Sequence, residues 1–306
     1  MDAYTGFAGV YDLFMDNVPY RQWCDFIHEQ LQKEGMKEQI LLDLGCGTGT
    51  MTRMMAEMGY DMIGVDNSPE MLDIARELEY ARLDGEEQEA SEEEEEFPDT
   101  EEEELQKEEV MLPETEEYYT EAYQGDITPT LYLCQDMREL ELYGTIGACY
   151  CACDSLNYIL EEAELKEVFR RVNNYLFPGG LFIFDINTPY KYETLLGERT
   201  IAENRPEGSF IWENSYDPES RINIYDLTLY IREDTEEEAP QDMPYYRYQE
   251  THYQKCYSPE EIRRLLEEAG MEFVAAYDCY SDQPVRPDSE KITFIAREKG
   301  KEKKND

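Results

Sequence analysis

The chain has 306 residues, 41% hydrophobic and 32% charged, enough apolar material for a sizeable core in one large or two small domains. Its 72 acidic residues against 27 basic ones leave a formal net charge of −45, so a nucleic-acid partner, which needs a basic footprint, is not expected. No apolar run approaches the roughly 18 residues of a membrane span, and the opening MDAYTGFAGVYDLFMDNV has neither a basic leader nor an apolar stretch. No membrane contact is expected, and the expected location is cytoplasmic.

An N-terminal helical cap is expected over 1–35, with its helix around 20–33. The first strand is expected at 40–44, inside the stretch ILLDLGCGTGT. Its apolar run reads as a buried parallel strand, and Gly45, Gly47 and Gly49 allow the backbone to turn sharply beneath a flat, bulky ligand. A dinucleotide GxGxxG loop would need glycine where Thr50 stands, and the GK[ST] of a P-loop is absent, so both phosphate readings weaken. The pattern DxGxGxG, with Asp43 at the strand end, suits a ligand without pyrophosphate whose ammonium can meet a carboxylate.

Further strands are expected near 61–66, 130–134, 146–151, 181–186, 272–278 and 291–296, with helices over 50–58, 69–83 and 161–176. In the last of these Leu165, Val168, Phe169, Val172 and Leu176 recur at helical spacing. Ser68-Pro69 and Ser258-Pro259 each place a capping hydroxyl before a proline, and Ser258 with Glu261 forms a capping box for a helix that Gly270 ends. Alternating strands and helices imply an α/β doubly wound sheet. The last two strands have no helix between them, which suits an antiparallel pair. The expected architecture is thus a mostly parallel seven-stranded sheet with an antiparallel last strand.

Two inserts interrupt this scheme. Over 84–121 there are 20 acidic residues and one base, Lys107, and the segment 85–125 reads as a solvated, disordered loop. The tyrosine-rich stretch 187–257 alternates as strands do and reads as a small antiparallel β insert. Because it leaves a strand directly, it emerges at the carboxyl edge of the sheet, where ligands bind, and is the expected substrate lid. The eight cysteines form no CxxC pair and no metal set. They read as buried, reduced thiols, with Cys149, Cys151 and Cys153 on one face of a strand.

DLGCGTGT resembles motif I of the class I S-adenosylmethionine-dependent methyltransferases, which have a Rossmann-like fold, and further stretches match that family in order. MIGVDNSPEMLDIAR is similar to its second strand, where the resemblance implies that Asp66 accepts both ribose hydroxyls. CQDMREL is similar to its third-strand turn, with Asp136 on the adenine amino group and the Met137 backbone on the ring edge. LFPGGLFIFDINTPY resembles its fifth strand. The likeness spans roughly 36–83 and 126–300, within a domain drawn at 36–300 before a short tail, 301–306, and is greatest to small bacterial members carrying DSLNY and DINTPYKY. It implies S-adenosyl-L-methionine as cofactor, bound by Asp43, Gly45, Cys46, Gly47, Gly49, Asp66, Asn67, Met71, Asp136 and Met137, with no metal.

Methyl transfer from a sulfonium needs alignment of the acceptor and exclusion of water more than a dedicated acid or base. Asp154, Asn157 and Tyr11 are the candidate positioning residues. Ser155, Tyr158, Asn187 and Tyr190 stand near them, and Tyr4 and Tyr20 lie on a segment that in this family often closes over the cofactor. Asp154 or Ser155 has an alternative as a helix cap, and His252 an alternative between base and ordinary strand residue. The expected acceptor is a small molecule, taken at oxygen or nitrogen. A nucleic acid or protein methyltransferase, and a non-catalytic cofactor-binding protein, remain alternatives.

Overall fold

A computed structural model describes residues 7–36, 40–94, 128–232 and 244–301, with backbone alone over 85–94. Strands β1 (Ile40–Leu44), β2 (Asp61–Asp66), β3 (Leu131–Cys134), β4 (Ile146–Cys151), β5 (Leu176–Asn187), β10 (Met271–Asp278) and β11 (Lys291–Glu298) make a seven-stranded sheet in the order β10-β11-β5-β4-β1-β2-β3. β1 pairs in parallel with β2 and β4, and the outer pairs β2–β3 and β4–β5 are parallel too. The reversed strand is β11, the last in the chain, which lies one place inside the edge, antiparallel to both β5 and β10. A short connection allows this because antiparallel neighbours need no crossover.

Alternation along the central strands sends successive side chains to opposite layers. Leu42 and Leu44 of β1, Cys149 and Cys151 of β4, and Phe182 and Phe184 of β5 pack on helices α5 (Glu162–Tyr175) and α6 (Pro259–Glu268), through Leu165, Val168, Phe169, Ile262 and Leu266. Leu41, Ala148, Tyr150, Leu181 and Ile183 face the other way, onto Trp23, Cys24, Ile27 and Leu31 of α2 (Tyr20–Lys33) and Met51 and Met55 of α3 (Thr50–Glu57). Both strand faces are therefore apolar, as a sheet covered on two sides requires. Gly180 sits where β5 meets β4 so closely that a Cβ would lie 2.6 Å from the Gly147 carbonyl.

The structure corrects three expectations. Helix α4 (Pro69–Glu94) runs ten residues into the segment taken as a disordered insert, because its Glu, Gln and Ala are good helix formers that outweigh Gly85. The remainder of that segment lies outside the described residues. Cys153 does not share a face with Cys149 and Cys151: β4 ends at Cys151, and Cys153, with φ of 56°, turns toward the α2 layer. All eight cysteines are free, but Cys134, at the end of edge strand β3, is exposed.

Within 187–257 the chain forms a second, four-stranded antiparallel sheet: β6 (Thr200–Asn204), β7 (Gly208–Asp217), β8 (Ile222–Arg232) and β9 (Tyr245–Lys255) in sequential order. It is reached from β5 through a π-helical turn, Lys191–Leu196. A short helix, α1 (Tyr11–Phe14), packs edge-on against it, Phe14 to Phe210, with ring centroids 5.0 Å apart, and Arg205 is paired with Asp16 at 2.8 Å. Among the described residues no helix is long and apolar enough to cross a membrane.

The capping box on α6 is present in full: Ser258 Oγ accepts from Glu261 N at 3.2 Å and Glu261 Oε2 accepts from Ser258 N at 2.8 Å. Replacing Ser258 with Ala should cost about 1 kcal/mol and lower Tm by about 2 °C in thermal denaturation. An unchanged Tm would mean the helix is held entirely by its buried face.

Candidate active site at the carboxyl edge of the sheet

The parallel strands end at one edge, and the loops leaving them enclose a crevice. After Leu44 the chain doubles under it. Gly45 N and Cys46 N both donate to the Val65 carbonyl of β2, at 2.7 and 3.0 Å, and φ is +83°, +54° and +76° at Gly45, Gly47 and Gly49. A Cβ at Gly45 would strike Ser155 Oγ at 2.8 Å, whereas one at Gly47 meets no protein atom within 4 Å. The loop is thus a backbone cradle whose open side faces the crevice.

Asp66, at the end of β2, accepts from Gly47 N through Oδ2 and from Ser68 N through Oδ1, each at 2.9 Å. Burial raises its pKa against the pull of those bonds. Asp43 is buried under the loop, accepts from Thr52 Oγ1 at 2.6 Å, and is pushed up to about 7 by burial. Asp136 begins the turn after β3 and is gripped by Arg138, whose Nε lies 2.9 and 3.0 Å from the two carboxylate oxygens. That bond holds its carboxyl below the usual range. An adenine amino group would share Asp136 with this guanidinium.

Asp43, Gly45, Cys46, Gly47, Asp66, Asn67, Met71, Asp136 and Met137 all line the one crevice. Gly49 lies just below it, capping α3. The open cradle and buried carboxylates fit a ligand with a cationic end and hydroxyl donors, and so fit S-adenosylmethionine. Thr48, Thr50, Gln135, Arg138 and Ile159 also line the crevice and were not singled out from sequence. Thr48 and Thr50 lay within the glycine stretch, and their role depends on a distant residue. Asp12 of α1 accepts from Thr48 Oγ1 at 2.7 Å, latching the N-terminal segment to the loop.

The residues expected on the acceptor side divide. Tyr11 and Tyr20 from the N-terminal segment, with Ser155 and Tyr158 from the 3-10 turn Ser155–Tyr158, line the crevice. Asp154 and Asn157 do not, contrary to expectation. Asp154, at φ of 51°, is bonded to Lys291 Nζ at 2.8 Å and to Gln254 Nε2 at 2.6 Å. Burial would raise its pKa, but the charges of Lys291 and Lys191 hold it low. Asn157 is fully buried, donating to the Lys255 carbonyl at 2.8 Å and accepting from Asn187 N at 3.0 Å. Both are joints between the β4 turn and the second sheet, because a small polar side chain facing buried backbone is retained by bonding it. Asn187 is buried in the same network, bonded to Tyr192 at 3.2 Å, and Tyr190 caps the π-helical turn. Tyr4 lies outside the described residues.

His252 of β9 is buried, with Nδ1 3.1 Å from the Tyr158 hydroxyl and Nε2 3.1 Å from Glu250 Oε2. Among the described residues no residue of 187–257 lines the crevice; the second sheet stands behind the turn that does. No group of three or more His, Cys, Asp or Glu suited to a metal occurs among the described residues.

Residues 14–276 match a family model described as a methyltransferase domain. A Bacillus subtilis (strain 168) protein named as a methyltransferase, YqeM, is 28% identical over 295 residues, covering 96% of each chain. The solved structure of an S-adenosylmethionine-dependent methyltransferase from Clostridium acetobutylicum ATCC 824 is similar at 26% identity and a TM-score of 0.73, covering 98% of this chain and 100% of that one. The sugar N-methyltransferase KedS8 from Streptoalloteichus sp ATCC 53650, at 16% identity and a TM-score of 0.63 over 94% and 92% of the two chains, is a likeness of fold alone.

Two outcomes follow for ligand binding measured by calorimetry. Asp66→Ala should weaken S-adenosylmethionine by roughly 1.5–3 kcal/mol, the scale for losing charged hydrogen bonds; equal affinity would remove the ribose assignment. Since Asp43 is held near 7, a cation set against it favours the ionised form. Affinity should therefore fall by roughly tenfold as pH drops from 7.5 to 5.5. The Asp43→Asn variant should flatten that profile, and a profile as steep as the parent's would place the titrating group elsewhere.

Proposed function

The chain belongs to the methyltransferase domain family, and from that premise we propose that it transfers the methyl group of S-adenosylmethionine to an oxygen or nitrogen of a small molecule. The observation that carries this reading is the convergence of Asp43, Asp66 and Asp136, from three successive strands, on one crevice with the glycine loop. When bound, the cofactor supplies an electrophilic methyl on a sulfonium. Asp66 would hold its ribose hydroxyls, Asp136 and the Met137 backbone its adenine, and Asp43 its ammonium end.

For an in-line displacement the chain's task is to align the acceptor and keep water out. Tyr11, Tyr20 and Tyr158 form the aromatic wall for this, and Asp154 and Asn157 act at one remove by fixing the turn that carries Ser155 and Tyr158. DSLNY and the DINTPYKY segment are in this reading the acceptor-side signature. The second sheet serves the acceptor by bracing that wall. A small acceptor is favoured over a nucleic acid by the crevice's charge: among the described residues one guanidinium, Arg138, lines it, and that is already paired with Asp136 and Glu164. The absence of a membrane-crossing helix among the described residues is compatible with the cytoplasmic location we propose.

Incubation with methyl-tritiated S-adenosylmethionine and a bacterial extract divided into small-molecule, RNA and protein fractions tests the substrate class. Label should enter the fraction below about 1 kDa; label confined to RNA or protein would overturn the small-molecule reading.

A further inference from the structure

Asp136 is the N-cap of the 3-10 turn Met137–Glu139 that follows β3, and it lines the crevice together with Met137 and Arg138. One residue occupies its whole carboxylate. Oδ1 accepts from Arg138 N at 2.8 Å and from Arg138 Nε at 2.9 Å, while Oδ2 accepts from the same Nε at 3.0 Å and from Arg138 Nη2 at 2.5 Å. An ionised carboxylate offers about four acceptor directions, two on each oxygen. All are taken, so a further donor finds a lone pair only if the guanidinium yields.

A second carboxylate is in place to receive that guanidinium. Arg138 Nη1 lies 3.4 Å from both Oε1 and Oε2 of Glu164, which stands in the first turn of α5, where the helix dipole favours an anion. The turn itself is held against the same helix. Leu140, its last cap, is fully buried, and the Leu140 carbonyl accepts from Arg171 Nη1 of α5 at 3.1 Å. Asp136 and Glu164 therefore keep their separation whichever of them the Arg138 side chain engages. The Arg138 and Glu164 side chains are 44% and 43% exposed, and pairs so open to water are worth little, so exchanging one for the other costs little.

We propose that Arg138 gates the adenine subsite and makes it selective for a 6-amino purine: on Asp136 the guanidinium closes the subsite, and its transfer to Glu164 frees Oδ2. The inference rests on the reading in which Asp136 takes the adenine amino group. Arg138 N keeps its bond to Oδ1 through the exchange, so the turn and the Met137 backbone stay where they are. What changes hands is one acceptor oxygen. A 6-amino group supplies the donor that this oxygen loses when Arg138 leaves. A 6-oxo purine meets it with an acceptor of its own, and for such a ligand the exchange has no return.

Calorimetry on the full chain with S-adenosylhomocysteine and with its 6-oxo counterpart, S-inosylhomocysteine, tests the gate. Arg138→Gln removes the competitor, so S-adenosylhomocysteine should bind about three- to fivefold tighter than to the parent, the scale of one exposed ion pair, while the 6-oxo ligand gains nothing. Glu164→Gln removes the landing place and should weaken S-adenosylhomocysteine by a similar factor. In the Arg138→Gln background the same Glu164 substitution should have no effect, because its partner is gone. The gate is overturned by Arg138→Gln binding S-adenosylhomocysteine no tighter than the parent, by an equal gain for both ligands, or by a Glu164→Gln effect that survives without Arg138. A parent that binds neither ligand fails the cofactor reading and the gate together; a parent that binds S-adenosylhomocysteine and gives any of those three results loses the gate alone.

Discussion

A buried ammonium ties the turn after β4 to the main sheet. Lys291, at the start of β11, lies 2.6 Å from Asp185 of β5 and 2.8 Å from Asp154 of the β4 turn, with the face of Trp23 at 5.3 Å. Burial would discharge it, but the two carboxylates hold its pKa well above the ordinary lysine value. Removing one partner of such a group leaves an uncompensated charge in a low-dielectric interior, a loss of several kcal/mol. The cluster is also geometrically committed. Asp185 accepts from Asp154 N at 3.0 Å and from Tyr280 Oη at 2.8 Å, so the left-handed turn at Cys153 and Asp154 is bonded at both backbone and side chain.

From that anchor the constraint spreads outward. Asp154 receives Gln254 of β9, and Gln254 Oε1 collects the hydroxyls of Tyr192 at 2.8 Å and Tyr225 at 2.7 Å. Asn157 ties the same turn to the Lys255 carbonyl. The second sheet is bonded through buried polar groups to the turn that walls the crevice, and it also carries the N-terminal segment through Phe210, Arg205 and Glu250. Unpaired, these groups would cost more than their bonds return, which makes such a network specific about the position it accepts.

The two halves of the crevice consequently rest on different physics. The cofactor half is backbone geometry at the ends of β1, β2 and β3, with carboxylates in the last residues of β1 and β2 and just after β3. The other half, to which we propose the acceptor binds, is assembled from α1, α2 and the β4 turn, and its polar residues find partners 94 to 137 positions away.

That division governs what could be read from the sequence. Alternating and helical periodicity, the three glycines and the acids at three strand ends are local patterns, and from them the fold, the order of elements and the lining by Asp43, Asp66 and Asp136 were legible. Asp154 and Asn157 looked like acceptor residues because they sit beside the crevice in sequence; Lys291, Gln254 and Lys255, which turn them away from it, are encoded far off. Cys153 changed faces because β4 stops one alternation early, and α4 outran its expected end because glutamate favours helix as readily as solvent. The chain by itself determined the sheet and the cofactor cradle, since both follow from short-range backbone preference and periodicity. Only the tertiary structure decided which polar side chains line the crevice and which brace its wall, because that depends on buried pairings between residues that sequence separation leaves unrelated.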